Sequence, residues 1–541
     1  MEKKGVVLYY PTGIVHMRNL ELLRDQLPGF RFLVIVEPWM AETANDVLNR
    51  IDTEDRVIIE NNRLPQGVWE KGVNLLFLSM AYPNPFRLHL VYEAASREIP
   101  VIAIEEVNQL ALNDGIINHY FLPIDYLAVP SEVEKSKFID LGVNSERITV
   151  IGWPFYDDKA ALRSRNQYDI RSQYKIRPEK KICLLVLGSL KEQDIVSIET
   201  SKIRTHIIET TVNGLSENFQ LFIKPHPVET EDTLEEIRKL APSAVILNPK
   251  FPIEPLIDQV DIVVNRGNSQ VILLALLQLK SIIVVPAGLK TIFHSAHKAV
   301  IAESAQQFHR ILVEYSRGKH PDYREILNSH FPIDHRLSLQ KASQFFASAL
   351  KEKCTGSFEK KMYVAILYAF LGDISSANQI LDSLTERESV ILLKKLVNRK
   401  ISIVEFVNLL PFFTGKIITW HIQALFLRML FSGSAKHNWI LAAPLLKGFD
   451  GDVNPHYFID DILKRIELEY LAGNTESAEK LIHKIYDDFS IFPFYHQAFD
   501  MLKYVYGRKD KSPSFRKTLW LLKNFFKPYA RHCIKNKFIK R

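Results

Sequence analysis

NLLFLSMAYPNPFRLHLVYEAASREIPVIAIE, Asn74–Glu105, sets two short apolar runs on either side of an amphipathic stretch. The runs NLLFLS and PVIAIE have strand length and are apolar almost throughout, the pattern of strands buried on both faces. FRLHLVYEAASRE between them repeats its apolar residues at helical spacing. A strand, a helix and a second strand make a unit of parallel sheet. The same alternation extends outward in both directions. GVVLYY, RFLVIVE, DRVIIE, YLAVP and RITVIG read as further strands, and SEVEKSKFIDLG reads as a helix with Ser131 at its N-cap. Residues 1–152 are therefore expected to form a Rossmann-like α/β domain.

A polar stretch from Trp153 through residue 180, WPFYDDKAALRSRNQYDIRSQYKIRPEK, interrupts the rhythm and reads as a linker. ICLLVLGS, LFIKPHP, AVILN, DIVVN and SIIVVP then restore it, so residues 181–352 are expected to form a second Rossmann-like domain. A helix around Ser338–Lys351 is expected to close that domain. Strand patterns end near Phe358. Residues 358–507 read as an all-α, solenoid-like domain. YVAILYAFLGDISSANQILDSL and IELEYLAGNTESAEKLIHKIY share a helix, a Gly-Asp or Gly-Asn turn and a second helix. Their glycines, Gly372 and Gly473, stand 101 residues apart, close to three periods of a tetratricopeptide-like repeat. A helical bundle without repeat ancestry fits the pattern nearly as well.

The 541 residues carry a net charge of +7 and three cysteines with no paired spacing, so neither a disulfide framework nor a cysteine-based metal site is indicated. A reducing, cytoplasmic setting is expected. MEKKGVVLYYPTG falls short of a signal peptide's apolar region and of a membrane span. Arg508–Arg541 hold twelve Lys/Arg against the single acid Asp510, so this tail carries +11 and residues 1–507 sum to −4. The basic excess belongs to a tail, which argues against a nucleic-acid-binding body. In residues 512–541, Trp520, Leu521, Leu522, Phe525 and Phe526 alternate with basic residues. Such a segment suits the surface of an anionic membrane, and equally a helix packed on the helical domain with a solvated basic face. The helical domain is an expected surface for a protein partner.

Three strand ends of the second domain carry candidate chemistry. In FIKPHP, Pro225 and Pro227 hold the backbone of His226 extended. In DIVVNRGNSQVILLALL, the turn Gly267-Asn268-Ser269 opens an apolar helix whose free N–H groups favour an anion. In LLVLGSLKEQD, Gly188 and Ser189 end a strand where a glycine lets a ligand approach the backbone. Each has a plainer reading, as a strand-end histidine bonded to a loop, an ordinary N-cap, or a simple turn. Together, with Lys224, they suit a nucleoside phosphate.

VIGWPFYD, KPHP and NSQVILLALLQLKSIIVVP, in this order and spacing, resemble GT-B glycosyltransferases of bacterial surface polysaccharides, of the capsule, sialyltransferase and polysialyltransferase-like type. They are also similar to the related transferases of glycerol phosphate from CDP-glycerol. The resemblance covers residues 1 to about 350. It implies a nucleotide sugar held by the second domain and a glycan or glycolipid acceptor held by the first, with the bond formed between them. It places His226 on the donor phosphate and gives a donor-binding set of Gly188, Ser189, Lys224, His226, Pro227, Glu254, Gly267, Asn268 and Ser269. The acidic pair of sialyltransferase-like members, the general base, matches Glu105 and Glu106, although Val107 stands where that family has glycine. Both acids read equally well as capping or salt-bridging residues. His16 and His119 are acceptor-side candidates. The expected activity is an inverting, metal-independent sugar transfer to a capsule or lipopolysaccharide-type glycan, with no cofactor, on the inner face of the plasma membrane. A polyol-phosphate transferase and a non-catalytic interaction protein built on the same fold are the alternatives.

Overall fold

A computed structural model describes residues 5–488 apart from 12–15, 18–19, 21–22, 26, 39, 41–47, 60–62, 80–84, 106–121, 141, 155–168, 189–196, 227–228, 252, 268, 288–290, 297, 331–334, 352–356, 414, 433–438 and 450–454. The basic tail thus lies outside the described residues, as do Glu106, His119, Ser189, Pro227 and Asn268. The chain forms two compact units. One comprises Met1–Leu110, Asn118–Ala161 and Asn328–Phe449, and the other Ala111–Ile117, Leu162–Leu327 and Asp450–Arg541.

The first unit is built on seven parallel strands: β1 (Gly5–Tyr10), β2 (Phe30–Val36), β3 (Arg56–Ile58), β4 (Val73–Leu78), β5 (Val101–Ile104), β6 (Tyr126–Val129) and β7 (Ile148–Val150). Their order is β3-β2-β1-β4-β5-β6-β7, so the direction of winding reverses between β1 and β4. All seven coincide with apolar runs of the sequence. The Asn74–Glu105 stretch gives β4, a helix Pro85–Ser96 and β5. Pro85 suits the first helical position, where its missing N–H costs nothing. The helix stops because Glu98 turns left-handed (φ 56°) and the Ile99 N–H bonds back to Ala94 O, with Pro100 next in the chain. The Ser131 cap is present, its Oγ accepting from Glu134 N at 3.2 Å.

The helix His335–Ala349 departs from the sequence reading, which assigned it to the second domain. Its Ala342, Phe345, Phe346 and Ala349 lie in the core of the first, with Val7, Tyr9, Phe32 and Phe77. Phe346 meets the Phe77 ring edge-on at 5.0 Å. Amphipathic spacing shows that a helix has an apolar face, but not which sheet that face covers. Trp153 likewise belongs to this unit and not to a linker. Its backbone N–H donates to Ser338 Oγ at 3.1 Å and its indole Nε1 to His330 O at 2.7 Å.

Helices follow in the same unit, among them Ser357–Phe370, Ile374–Asp382, Glu388–Val397, Ile403–Leu409 and Lys416–Leu430. Ser357–Phe370 is fastened to the α/β core. Tyr368 Oη donates to Pro85 O at 3.0 Å, and Lys360 pairs with Asp125. The sequence drew a separate helical domain over 358–507. Instead, the helices up to Phe449 belong to the first unit, while Pro455–Leu471 and Thr475–Asp488 belong to the second. The glycines of the two helical pairs both take positive φ, 90° at Gly372 and 80° at Gly473.

The second unit holds five parallel strands, β8 (Lys181–Val186), β9 (Phe219–Lys224), β10 (Val245–Ile246), β11 (Ile262–Asn265) and β12 (Ser281–Val284), in the order β10-β9-β8-β11-β12. The end of the expected linker packs here. Asp169 caps the short helix Ile170–Gln173, Ile170 is fully buried, and the Tyr174 ring meets Phe222 edge-on. Two doubly wound parallel sheets with helices following are the α/β architecture that the sequence implies. Among the described residues no helix is long and apolar enough to cross a membrane.

Candidate functional site

In a doubly wound sheet, ligands bind beyond the carboxyl ends of the strands where the winding reverses. In the second unit that point lies between β8 and β11, and β9 is the next strand over. The three sequence candidates therefore come to adjacent strand ends: Gly188 after β8, His226 after β9, and Gly267 with Ser269 after β11.

These ends are fastened to one another. The Leu187 N–H continues the ladder to Lys224 O at 3.0 Å. Fully buried Asn265 donates from Nδ2 to Val186 O and accepts the Gly267 N–H on Oδ1, both at 2.9 Å. Asn265 was missed in the sequence, though a polar residue closing the apolar run DIVV is a legible signal, since a buried amide demands partners. Gly267 has φ 89°, and a Cβ there would lie 2.7 Å from Val284 Cγ1 and 3.0 Å from Thr291 Cγ2. Both backbone and space require glycine. Gly267→Ala is expected to destabilise the second unit by about 1–3 kcal/mol, and an unchanged urea midpoint would show that the loop simply yields.

Gly188 is different. Its φ is ordinary and nothing among the described residues lies within 4 Å of a Cβ built on it. Neither a positive φ nor a contact among the described residues accounts for the glycine. Ser269 is the N-cap of the helix Gln270–Leu277, its Oγ accepting from Val271 N at 3.3 Å. A hydroxyl that accepts from a cap N–H still carries a proton to donate.

Lys224 is the last residue of β9, next to the His-Pro loop. It is buried, and its Nζ donates to Pro225 O at 2.9 Å and Pro249 O at 2.6 Å, tying two loops together. Its charge acts on His226 all the same. Burial first, and the Lys224 ammonium second, push the imidazole pKa down to about 4. His226 is thus neutral at physiological pH and serves as a hydrogen-bonding group. Because the folded pKa lies below the unfolded value of 6.5, the unfolded chain takes up the proton more readily between those values. The stabilisation is present above pH 6.5 and lost as the pH falls towards 4, about 3 kcal/mol in all. His330 of the first unit, lowered to about 4 by burial, behaves alike. Urea midpoints are expected to drop over that window, and His226→Asn to flatten the drop of the second unit alone.

Glu254 opens the short helix Glu254–Ile257. A cavity of about 420 Å³ lies beside the His-Pro loop, walled by Glu229, Glu231, Arg238, Asn248 and Lys250. It sits towards the edge strand β10, away from the winding reversal, so the strand ends and not this cavity define the candidate site.

In the first unit, Glu105 continues β5, its N–H donating to Ala128 O at 2.9 Å, and it is 2% exposed. His16 follows β1, and its carbonyl accepts from Tyr9 Oη at 3.0 Å. The winding reversal of this sheet gathers polar groups the sequence did not single out. Tyr10, ending β1, donates from Oη to the Glu37 carboxylate after β2, the Arg87 guanidinium lies over the Tyr10 ring, and Ser79 Oγ donates to Tyr10 O. No spacing in the sequence links these residues, because they come together only through the strand order.

The family described as Alpha-2,8-polysialyltransferase (POLYST) matches residues 144–265. That match supports a glycosyltransferase. The matched stretch contains β8, β9 and His226 and stops at Asn265, just before the Gly267 turn. No curated protein matches the chain. Among solved structures the chain is similar to a UDP-GlcNAc 2-epimerase from Neisseria meningitidis bound to UDP-GlcNAc, at 15% identity over 64% of this chain and 99% of that one, TM-score 0.46. It is similar to S. aureus MnaA with UDP, at 13% identity over 64% and 98%, TM-score 0.47. It is also similar to the wall teichoic acid polymerase TagF, at 11% identity over 65% and 90%, TM-score 0.43. The functional reading rests on the family match and on the strand ends, not on these likenesses.

Proposed function

We propose that this chain transfers a sugar from a nucleotide donor to a bacterial surface glycan, with the donor phosphate held at the ends of β8, β9 and β11. The observation that carries the reading is His226, at the end of β9, one strand from the winding reversal of a parallel sheet and two strands from the serine-capped helix start after β11, within the stretch matched by the polysialyltransferase family.

The chemistry asks for these groups. As the sugar–phosphate bond breaks, negative charge grows on the departing phosphate, and donors already in position stabilise it without reorganising. Neutral His226 donates one hydrogen bond, the Ser269 hydroxyl a second, and the N–H groups opening Gln270–Leu277 add the positive end of the helix dipole. Gly188, with no side chain, lets the phosphate approach the backbone. An inverting transfer also needs a base for the acceptor hydroxyl. Glu105 and Glu106 remain our candidates, joined by Glu37, whose carboxylate is oriented by Tyr10.

Calorimetry of the full chain against CMP-, CDP-, UDP- and GDP-linked compounds tests the reading. One nucleotide class is expected to bind, with the phosphate contributing to affinity. A chain that binds none of the four is not a nucleotide-sugar transferase.

A further inference from the structure

Large apolar side chains exposed singly are ordinary, whereas a cluster of them marks a surface that meets something. Of the eleven exposed among the described residues, five fall on two short helices of the first unit. Val404 and Val407 lie on Ile403–Leu409, Phe412 on the turn that ends it, and Ile440 and Leu441 on Trp439–Leu445. Val404 is 70% exposed and Ile440 67%. The two helices touch each other and rest on one face of Lys416–Leu430. Phe406 of the first stacks on Phe426 at 3.8 Å, and Leu445 O of the second accepts from Gln423 Nε2 at 3.3 Å. Gln423 and Phe426 stand one turn apart and so share a face. With Phe406, Leu409, Ala442 and Ala443 buried beneath, the exposed stripes point to the same side.

This part of the chain is also basic. Residues 394–449 hold eight Lys/Arg against one acid, Glu405, a net charge of +7 within a body that sums to −4. Glu405 itself is engaged, bonded to the Ser402 cap and paired with Lys395. Exposed Arg399 and Lys400 precede the first helix, Lys416 follows its closing turn, and Lys447 follows the second helix.

We propose that this face docks the chain on a membrane of anionic lipid, its apolar stripes entering the interface and its basic residues meeting the head groups. Charge decides against two other occupants. The tail from Arg508 carries +11, and a second copy of the face carries the same +7, so each would be repelled. A nucleic acid answers the charge but has no use for the apolar stripes. An acidic protein answers both, yet a protein interface is stitched with about one hydrogen bond per 100–200 Å². Exposed Pro411 and Pro444 continue the stripes, on which Asn408 alone offers a hydrogen-bonding side chain. A bilayer interface asks for no fitted partner groups. The docking face stands whether or not the chain transfers a sugar.

Sedimentation of the full chain with phosphatidylcholine vesicles, with and without phosphatidylglycerol, is the test. The chain is expected to bind the anionic vesicles, and Val404→Glu/Ile440→Glu to weaken that binding about tenfold or more. Arg399→Gln/Lys400→Gln is expected to weaken it about 10–30-fold and to leave the remainder less sensitive to KCl. All four side chains are exposed, so the urea midpoints of both variants should stay where they are. Two folded variants that bind as tightly as the unchanged chain overturn the proposal and assign the contact to the basic tail. A chain indifferent to anionic vesicles also overturns it, and makes an acidic protein the occupant to seek.

Discussion

Lys360→Met is expected to lower the stability of the first unit by about 3–5 kcal/mol, a large part of what a domain possesses. Lys360 lies on the helix Ser357–Phe370 and Asp125 just before β6, with side chains 4% and 3% exposed. The ammonium stands 2.6 Å from both carboxylate oxygens, and Asp125 Oδ2 also accepts the Val101 N–H at 2.7 Å. Removing the lysine leaves a buried carboxylate beside the start of β5 with its charge uncompensated. The cost arises mainly from that stranded charge and much less from the lost attraction. The double variant Lys360→Met/Asp125→Asn is therefore expected to recover most of the loss. Chemical denaturation of both variants provides the check. A single-variant loss under about 1 kcal/mol would mean that water reaches the pair.

His226→Ala is expected to reduce transfer by about 10²–10³-fold, the usual effect of deleting one positioned donor to a developing charge. The low pKa sharpens this expectation. On the proposed role of His226 as a neutral donor, His226→Gln, also neutral and carrying N–H groups, should retain more activity than His226→Ala. The pH profile of kcat/KM should show no limb near 6.5 belonging to this residue, because its titration lies near 4. A limb near 6.5 that vanishes in His226→Gln would assign it a charged role instead.

The strands were legible because parallel strands buried on both faces leave dense runs of apolar residues. GVVLYY, ICLLVLGS and DIVVN each became a strand within three residues of the expected ends. The Ser131 and Ser269 caps were legible because a cap is a local matter. Partnerships across long stretches of chain were not. The bond from Lys224 to Pro249 O, 25 residues on and past another strand, could not be read from the spacing. The Tyr10–Glu37 pair depends on β1 and β2 lying side by side, which no periodicity announces. The helix His335–Ala349 has an unmistakable apolar face, yet only the fold reveals that the face belongs with Phe32 and Phe77.

That helix also fixes an order of events during synthesis. The core around Val7, Tyr9 and Phe77 lacks Ala342, Phe345 and Phe346 until the ribosome has passed the whole of β8–β12. At about 5–20 residues per second, the first seven strands wait roughly ten to forty seconds for the aromatic residues that seal them. The second sheet, by contrast, has all its strands in one uninterrupted stretch and can close while its elder neighbour is still open. The sheet that begins the chain thus has its core sealed after that of the sheet that follows it.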